Sequence, residues 1–505
     1  GSTIGLAGQN IIALDVEGGS TNGVTPGGTA TSGAVNVLVA NSSLTIGAGP
    51  QGFPGSLRVR SEARGGIGST IGDATSGVAS LGLADTQLEA GSLYIESLAV
   101  SGEDSSVLLG GNAASGQALL SLSGASEVNT SLIEITSDAR TLSGGSSQAG
   151  ISGLEVISGS AVAVTTDSLT ISADANGADL LSNGAGQFFV NVGGGDVSAG
   201  SLSASARGDV INGNPPASQL AAEGGNLNVT DQIAVDTYGN LQVRTSDGAI
   251  IGSPAVAGTT TQIGMASQGT IEVLGDDSTT GGLSGEAISL NAGQSILLNG
   301  RMSVNGGLVS LIANAGGSLP LPVNQGGPAV IAMGDGASIN AGTGTVSLQL
   351  FDGFDNPDRA NGAITLASIT AGRIDARNFG ESVGSDINVN STGVLTASGS
   401  GRAIDLASLN GEVLNLAGDA GLILTGVGHY GIFAATPTGS QIGSTTNYVR
   451  RYNVPESETY DDLNPGGNFA AFRIAPVLSV TADDISRFYG DANPAFTASF
   501  DGFLP

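Results

Sequence analysis

One local design recurs between residues 285 and 350: a short run alternating apolar and small polar residues, then a turn of Gly, Asn, Ala or Ser. Ile288, Ser289 and Leu290 form one such run, and Val309, Ser310 and Leu311 another; Ile296–Leu298 and Met302–Val304 lie between them. Residues two apart share one face of a strand, so each run reads as a short β-strand. The runs begin about six to eight residues apart, too close for helices and too regular for a sandwich. Such spacing is what the successive sides of a β-solenoid coil would produce.

Two internal matches set the expected period. The phrases beginning at Ile288 and Val309 start 21 residues apart, and residues 363–369 match residues 403–409 at an offset of 40. Read as one coil and two coils, these offsets give a repeat of about 20 residues with three strands. We therefore expect an all-β chain: a right-handed parallel β-helix of about 20 coils over residues 1–428, on the order of 100 Å long. Coils of unequal length are expected before residue 209, where longer inserts interrupt the count. The Pro320 and Pro322 loop reads as an insertion leaving the stack. Asn291, Asn299 and Asn305 recur at turns, where they either ladder from coil to coil or serve the left-handed turn conformation.

Composition narrows the function classes. Of 505 residues, 83 are Gly, 40% are hydrophobic and only 4% are aromatic, which is too apolar for a disordered linker. No apolar run of membrane-spanning length occurs. All 15 basic residues are Arg against 44 acidic ones, a net charge of −29. That charge repels nucleic acid and anionic membranes, so neither is an expected partner. It serves solubility, with collection of divalent cations as the sharper reading. Cys is absent, so no disulfide marks the compartment. Residues 1–10 read as mid-repeat, without a signal peptide, as in a processed or excerpted part of a longer protein.

The pattern changes at His429. Residues 429–473 read as a helix-closing segment and linker, and residues 474–505 as the start of a separate small β module. Here the phrases GGLVSLIANAGG and ASINAGTGTVSL resemble the filamentous-haemagglutinin-like adhesins of bacterial two-partner secretion, and residues 428–452 resemble their closing segment. Val480, Thr481 and Ala482, then Tyr489, Gly490, Asp491, Ala492, Asn493 and Pro494, then Phe496 and Thr497, are similar to the YGX-type MBG module that follows the helix in such exoproteins. The resemblance implies an extracellular, cell-surface stalk exported through an outer-membrane pore and acting in adhesion or biofilm cohesion. It is not an enzyme on this reading. The amino-terminal secretion domain of the family is not recognisable here, so the export route is implied for the parent protein only.

Candidate sites are few. Asp352, Asp355 and Asp358 share a loop in which three carboxylates could gather Ca²⁺, or simply solvate an acidic turn. No other metal or cofactor is expected. Arg373 and Arg377 lie near that loop in sequence and keep a polysaccharide lyase as an alternative. The lone His429 reads as structural. Tyr448, Arg450 and Tyr452 share one face of an extended run, with Arg451 opposite, and either stack on a sugar or cap the helix. Of Phe188 and Phe189, one must point outward and is a candidate for a partner contact. Surface glycans or exopolysaccharide are the expected ligands of a glycan-binding alternative, and self-association through solenoid ends is a further expectation.

Overall fold

The computed structural model describes residues 2–7, 9–17, 27–48, 54–67, 71–101, 111–141, 145–176, 184–208, 217–253, 262–275, 282–314, 327–353, 361–381, 384–443, 448–458, 461–490 and 492–501, with backbone alone for residues 2–17. Almost every described strand pairs in parallel with a strand one turn of chain away. One sheet of 13 strands runs from Val35–Ala40 to Val413–Asn415 and forms one side of a rod. A sheet of 27 strands forms the other two sides. It is continuous because early strands bend round a corner: residues 127–129 of Glu127–Thr141 pair with Gln87–Ala90, while residues 132–141 pair with Ser92–Ser101. The described strands up to Phe472 form a parallel β-helix, and their alternation matches its inward and outward faces.

Inward residues stack in columns. Ile288, Val309, Val346, Ile374 and Ile404 follow one another on one side. Ile271, Ile296, Ile331, Ile364, Ile387 and Val413 do so on the 13-stranded side. All are buried in one continuous core. Each Leu or Ile removed from water contributes roughly 1.5–3 kcal/mol, and the stack repeats that gain at every coil.

The coil count is corrected downward. Ile288 pairs with Val309, 21 positions on, but Val309 pairs with Val346, 37 positions on, and Val346 with Ile374, 28 on. The step that set the expected period belongs to an unusually short coil. The 40-residue match is no multiple of coils at all. Residues 363–369 begin in the 13-stranded side, whereas residues 403–409 begin in the other sheet, where Ile404 pairs with Ile374. Among the described residues thirteen rungs span roughly 60 Å at about 4.8 Å each, and beyond the last of them the other sheet continues through His429–Ala434 and Phe469–Phe472. The expected boundary at residue 428 also moves: His429–Ala434 pairs with Arg402–Ser408 as a further rung.

A buried side-chain ladder of serine runs through three of the early coils. Ser61, Ser97 and Ser137 stack in register and are fully buried. They donate to the carbonyls of Gly33, Gly77 and Gly116 at 2.7–2.8 Å. They also meet Ser32, Ser76 and Ser115 at 2.8–2.9 Å. Since each of the first three hydroxyl protons goes to a carbonyl, the second three must donate. Beside them Ala30, Ala63, Ala74, Ala99, Ala113 and Ala139 form a separate small core. The expected Asn positions do not ladder: Asn291 stacks between Ala266 and Ile312. A buried Asn chain occurs elsewhere, with Asn314 donating to Asn361 at 2.7 Å and Asn361 to Asn378 at 3.4 Å.

Phe188 points into the core, and Phe189 lies on the outer surface. There its ring covers Gly153 of the neighbouring strand, and a Cβ at Gly153 would overlap it. The aromatic residue fills a glycine's gap rather than awaiting a partner. Gly153→Val should therefore cost about 1–3 kcal/mol. Hydrogen exchange should quicken in Ile151–Val156 and Gln187–Val192, and unchanged exchange there would contradict this packing.

Candidate functional site at the closing end

The chain ends its rod by an inversion of strand order. Phe469–Phe472 pairs in parallel with both His429–Ala434 and Val449–Tyr452, so the later strand inserts between two earlier ones. Alternation then splits its residues. Tyr430, Ile432, Ala470 and Phe472 join the rod core, whereas Phe433 and Phe469 face outward. Those two rings meet edge to face at 5.4 Å between centroids. Val454 and Leu463, on the segment leading back to Phe469, pack over them. The closing segment thus builds a second small core outside the rod.

A charged cluster fastens that cover. Asp405 is fully buried; Arg377 reaches its Oδ2 at 2.8 Å and Arg402 at 3.1 Å. Arg377 also holds Asp375 at 2.7 Å. From the cover, the Asp461 carbonyl accepts from Arg402 Nη1 at 2.6 Å, and Asp462 meets His429 Nε2 at 3.1 Å. The Arg402 guanidinium lies over the Phe433 ring at 5.5 Å. Burial pushes the Asp405 carboxyl up to about 6, against the opposing pull of Arg402. Desolvation outweighs pairing here, the usual balance for a buried ion pair.

Sequence candidates therefore sort themselves. Arg377 is 8% exposed and engaged by two carboxylates, which suits a clasp and does not offer a cation to a substrate. His429 is buried in the same clasp. Asp352 sits beside Phe351, whose ring stacks on Phe379 at 5.1 Å; Asp355 and Asp358 lie outside the described residues. Among the described residues no group of three His, Cys, Asp or Glu is placed to hold a metal.

The Tyr448 face has the clearest geometry. Tyr448 packs against the end of the rod core and against Tyr430, 6.4 Å between ring centres. Tyr452 stacks on Phe472 at 5.7 Å. Arg450 donates to the Tyr448 hydroxyl through Nε at 3.3 Å and Nη2 at 3.2 Å, and this bond, the largest of its influences, raises its already high pKa. These residues cap the core, and beside them opens a cleft of about 470 Å³. Asp419, Pro437, Gln441, Tyr448, Arg450 and Phe472 are on its walls. Sequence reasoning missed Asp419 and Gln441, which lie about thirty and ten residues upstream of Arg450 and belong to no motif.

Beyond the rod, Ser479–Ala482 and Ala498–Asp501 form an antiparallel pair. Tyr489 and Phe496 are fully exposed or nearly so, and Gly490 adopts φ +96°. Asn493 and Pro494 are exposed as well, and Asp491 lies outside the described residues. Residues 478–505 match the MBG domain (YGX type) family. No curated protein and no solved structure matches the chain.

Proposed function

We propose that this chain is the rod and the first attached module of a large bacterial surface adhesin, related to the filamentous-haemagglutinin-like exoproteins of two-partner secretion. The observation that carries the reading is the order of parts: a parallel β-helix, a closing segment that seals it, and an MBG match immediately after. MBG domains occur in adhesin-like surface proteins. A rod of stacked coils gives reach and stiffness, since each coil contacts only its neighbours and length adds without changing the design. In this role the protein is extracellular, performs no catalysis, and supports cell adhesion or biofilm cohesion. Its parent chain would pass through an outer-membrane pore, a route suited to a Cys-free chain threaded unfolded.

The net charge of −29 supports a protein that stays apart from nucleic acid and anionic lipid. Among the described residues no helix is long and apolar enough to cross a membrane. For filament growth the closing end offers little support. Its outermost strand sets Arg450 and Arg451 on the rim, and these like charges oppose pairing of this edge with the same edge of a second copy. An antibody against the rod should label intact cells of the producing bacterium. Deleting the gene should lower attachment or pellicle cohesion, with recovery on complementation. Labelled cells that attach and cohere normally without the gene would end the adhesive reading, and unlabelled intact cells would end the surface one.

A further inference from the structure

We propose that the cleft beside Tyr448 is a binding site for a neutral saccharide of about two sugar rings. Its volume, about 470 Å³, falls within the ~300–1,000 Å³ of small-ligand sites.

Both walls are held in place from beneath. Asn415, 1% exposed, donates through Nδ2 to the Gly418 carbonyl at 2.6 Å and to the Ile442 carbonyl at 3.1 Å, tying one wall to the other. Glu412 accepts from the hydroxyls of Thr436 at 2.7 Å and Ser440 at 2.6 Å, which fixes the turn that brings Gln441 to the rim. Gly443, at φ +110°, lets the chain turn close against Asp419. A site whose frame rests on buried hydrogen bonds is organised before any ligand arrives.

The chemistry of the walls selects the ligand. Arg450 offers donors, Asp419 acceptors and Gln441 both, while the rings of Tyr448 and Phe472 supply an apolar surface. A sugar ring presents the complement: adjacent hydroxyls that donate and accept, and a C–H face that lies against aromatic carbon. A purely apolar ligand would take water from the charged rim and offer it no hydrogen bond in return. An anionic polymer would meet the field of a chain carrying −29. The inference deepens the adhesive reading by naming a ligand class for this end of the rod.

The test uses the full chain and saturation-transfer NMR with maltose, cellobiose, lactose and gentiobiose, alongside glucuronic acid and inorganic phosphate. We expect transfer to at least one neutral disaccharide. Arg450→Gln and Asp419→Asn should each weaken that binding about tenfold or more, the loss expected for one charge-assisted hydrogen bond. Both side chains are exposed, so both variants should unfold at nearly the parent temperature; Arg450→Gln also gives up the bonds to the Tyr448 hydroxyl, and Asp419→Asn, which does not, is its control. No transfer from any neutral probe, equal transfer in both variants, or stronger binding of glucuronic acid or phosphate would each overturn the proposal. Failure of attachment assays in cells would end the adhesive reading alone, because the disaccharide measurement does not depend on it.

Discussion

Replacing Phe469 by Ala will release the closing segment while leaving the coils beneath it folded. Phe469 is fully buried and meets Phe433 edge to face under Val454 and Leu463. Removing a buried aromatic ring costs about 3–5 kcal/mol. In a compact domain that loss would spread over the whole fold. A solenoid instead sums its neighbour interfaces, and the inserted strand's inner interface is with a single terminal coil. Hydrogen exchange should therefore rise sharply in residues 429–434 and 449–472 and remain unchanged in residues 364–397. Uniform acceleration along the rod would show that the end and the coils unfold as one unit, and the local picture would be wrong.

Arg402→Met should loosen the same segment by a different route. It leaves the Asp405 carboxylate buried with fewer compensating donors and removes the bond to the Asp461 carbonyl. Breaking one side of a buried ion pair costs about 3–5 kcal/mol. The loss carries a pH signature. The Asp405 carboxyl sits at about 6 in the fold against an ordinary 3.8, so the folded state holds a proton that the unfolded chain gives up. Its contribution to stability is present in full below 3.8 and is lost as pH rises through about 6. This is opposite in sign to common acid denaturation. Without Arg402 the carboxyl rises further, so the variant's deficit should be greatest at neutral pH and shrink toward pH 4. Asp405→Asn should flatten the dependence. Local exchange in residues 429–434, measured across that range, reads all three proteins, and a deficit independent of pH would refute the clasp.

Much of the fold was legible in local pattern. Alternation in Ile288–Leu290 or Val309–Leu311 states which residues face the core, because side-chain direction depends only on the neighbouring positions. The terminal module was legible too, through a compact motif around Tyr489 and Gly490 that the family match now covers. The coil count was not legible. Loop length changes from coil to coil, as the steps of 21, 37 and 28 after Ile288 illustrate, and a longer loop leaves no trace in the strands it joins. For the same reason the near-identical runs at Ile364 and Ile404 read as equivalent rungs while lying on different sides of the rod.

The candidate site divides along the same line. Tyr448, Arg450 and Tyr452 could be placed on one face from sequence, since two-residue spacing is a local fact. Their neighbours could not. Asp419 and Gln441 reach the cleft, and Arg377 reaches Asp405, only because coils of particular lengths stack in a particular register. Sequence alone determined that this chain forms a stacked, parallel, small-residue rod with a distinct end. Tertiary structure alone decided how many coils it has, that serine forms a ladder in its early coils, and which distant side chains meet where the rod closes. Strand direction and alternation are written within a few residues, whereas register between coils is set by the sum of everything that lies between them.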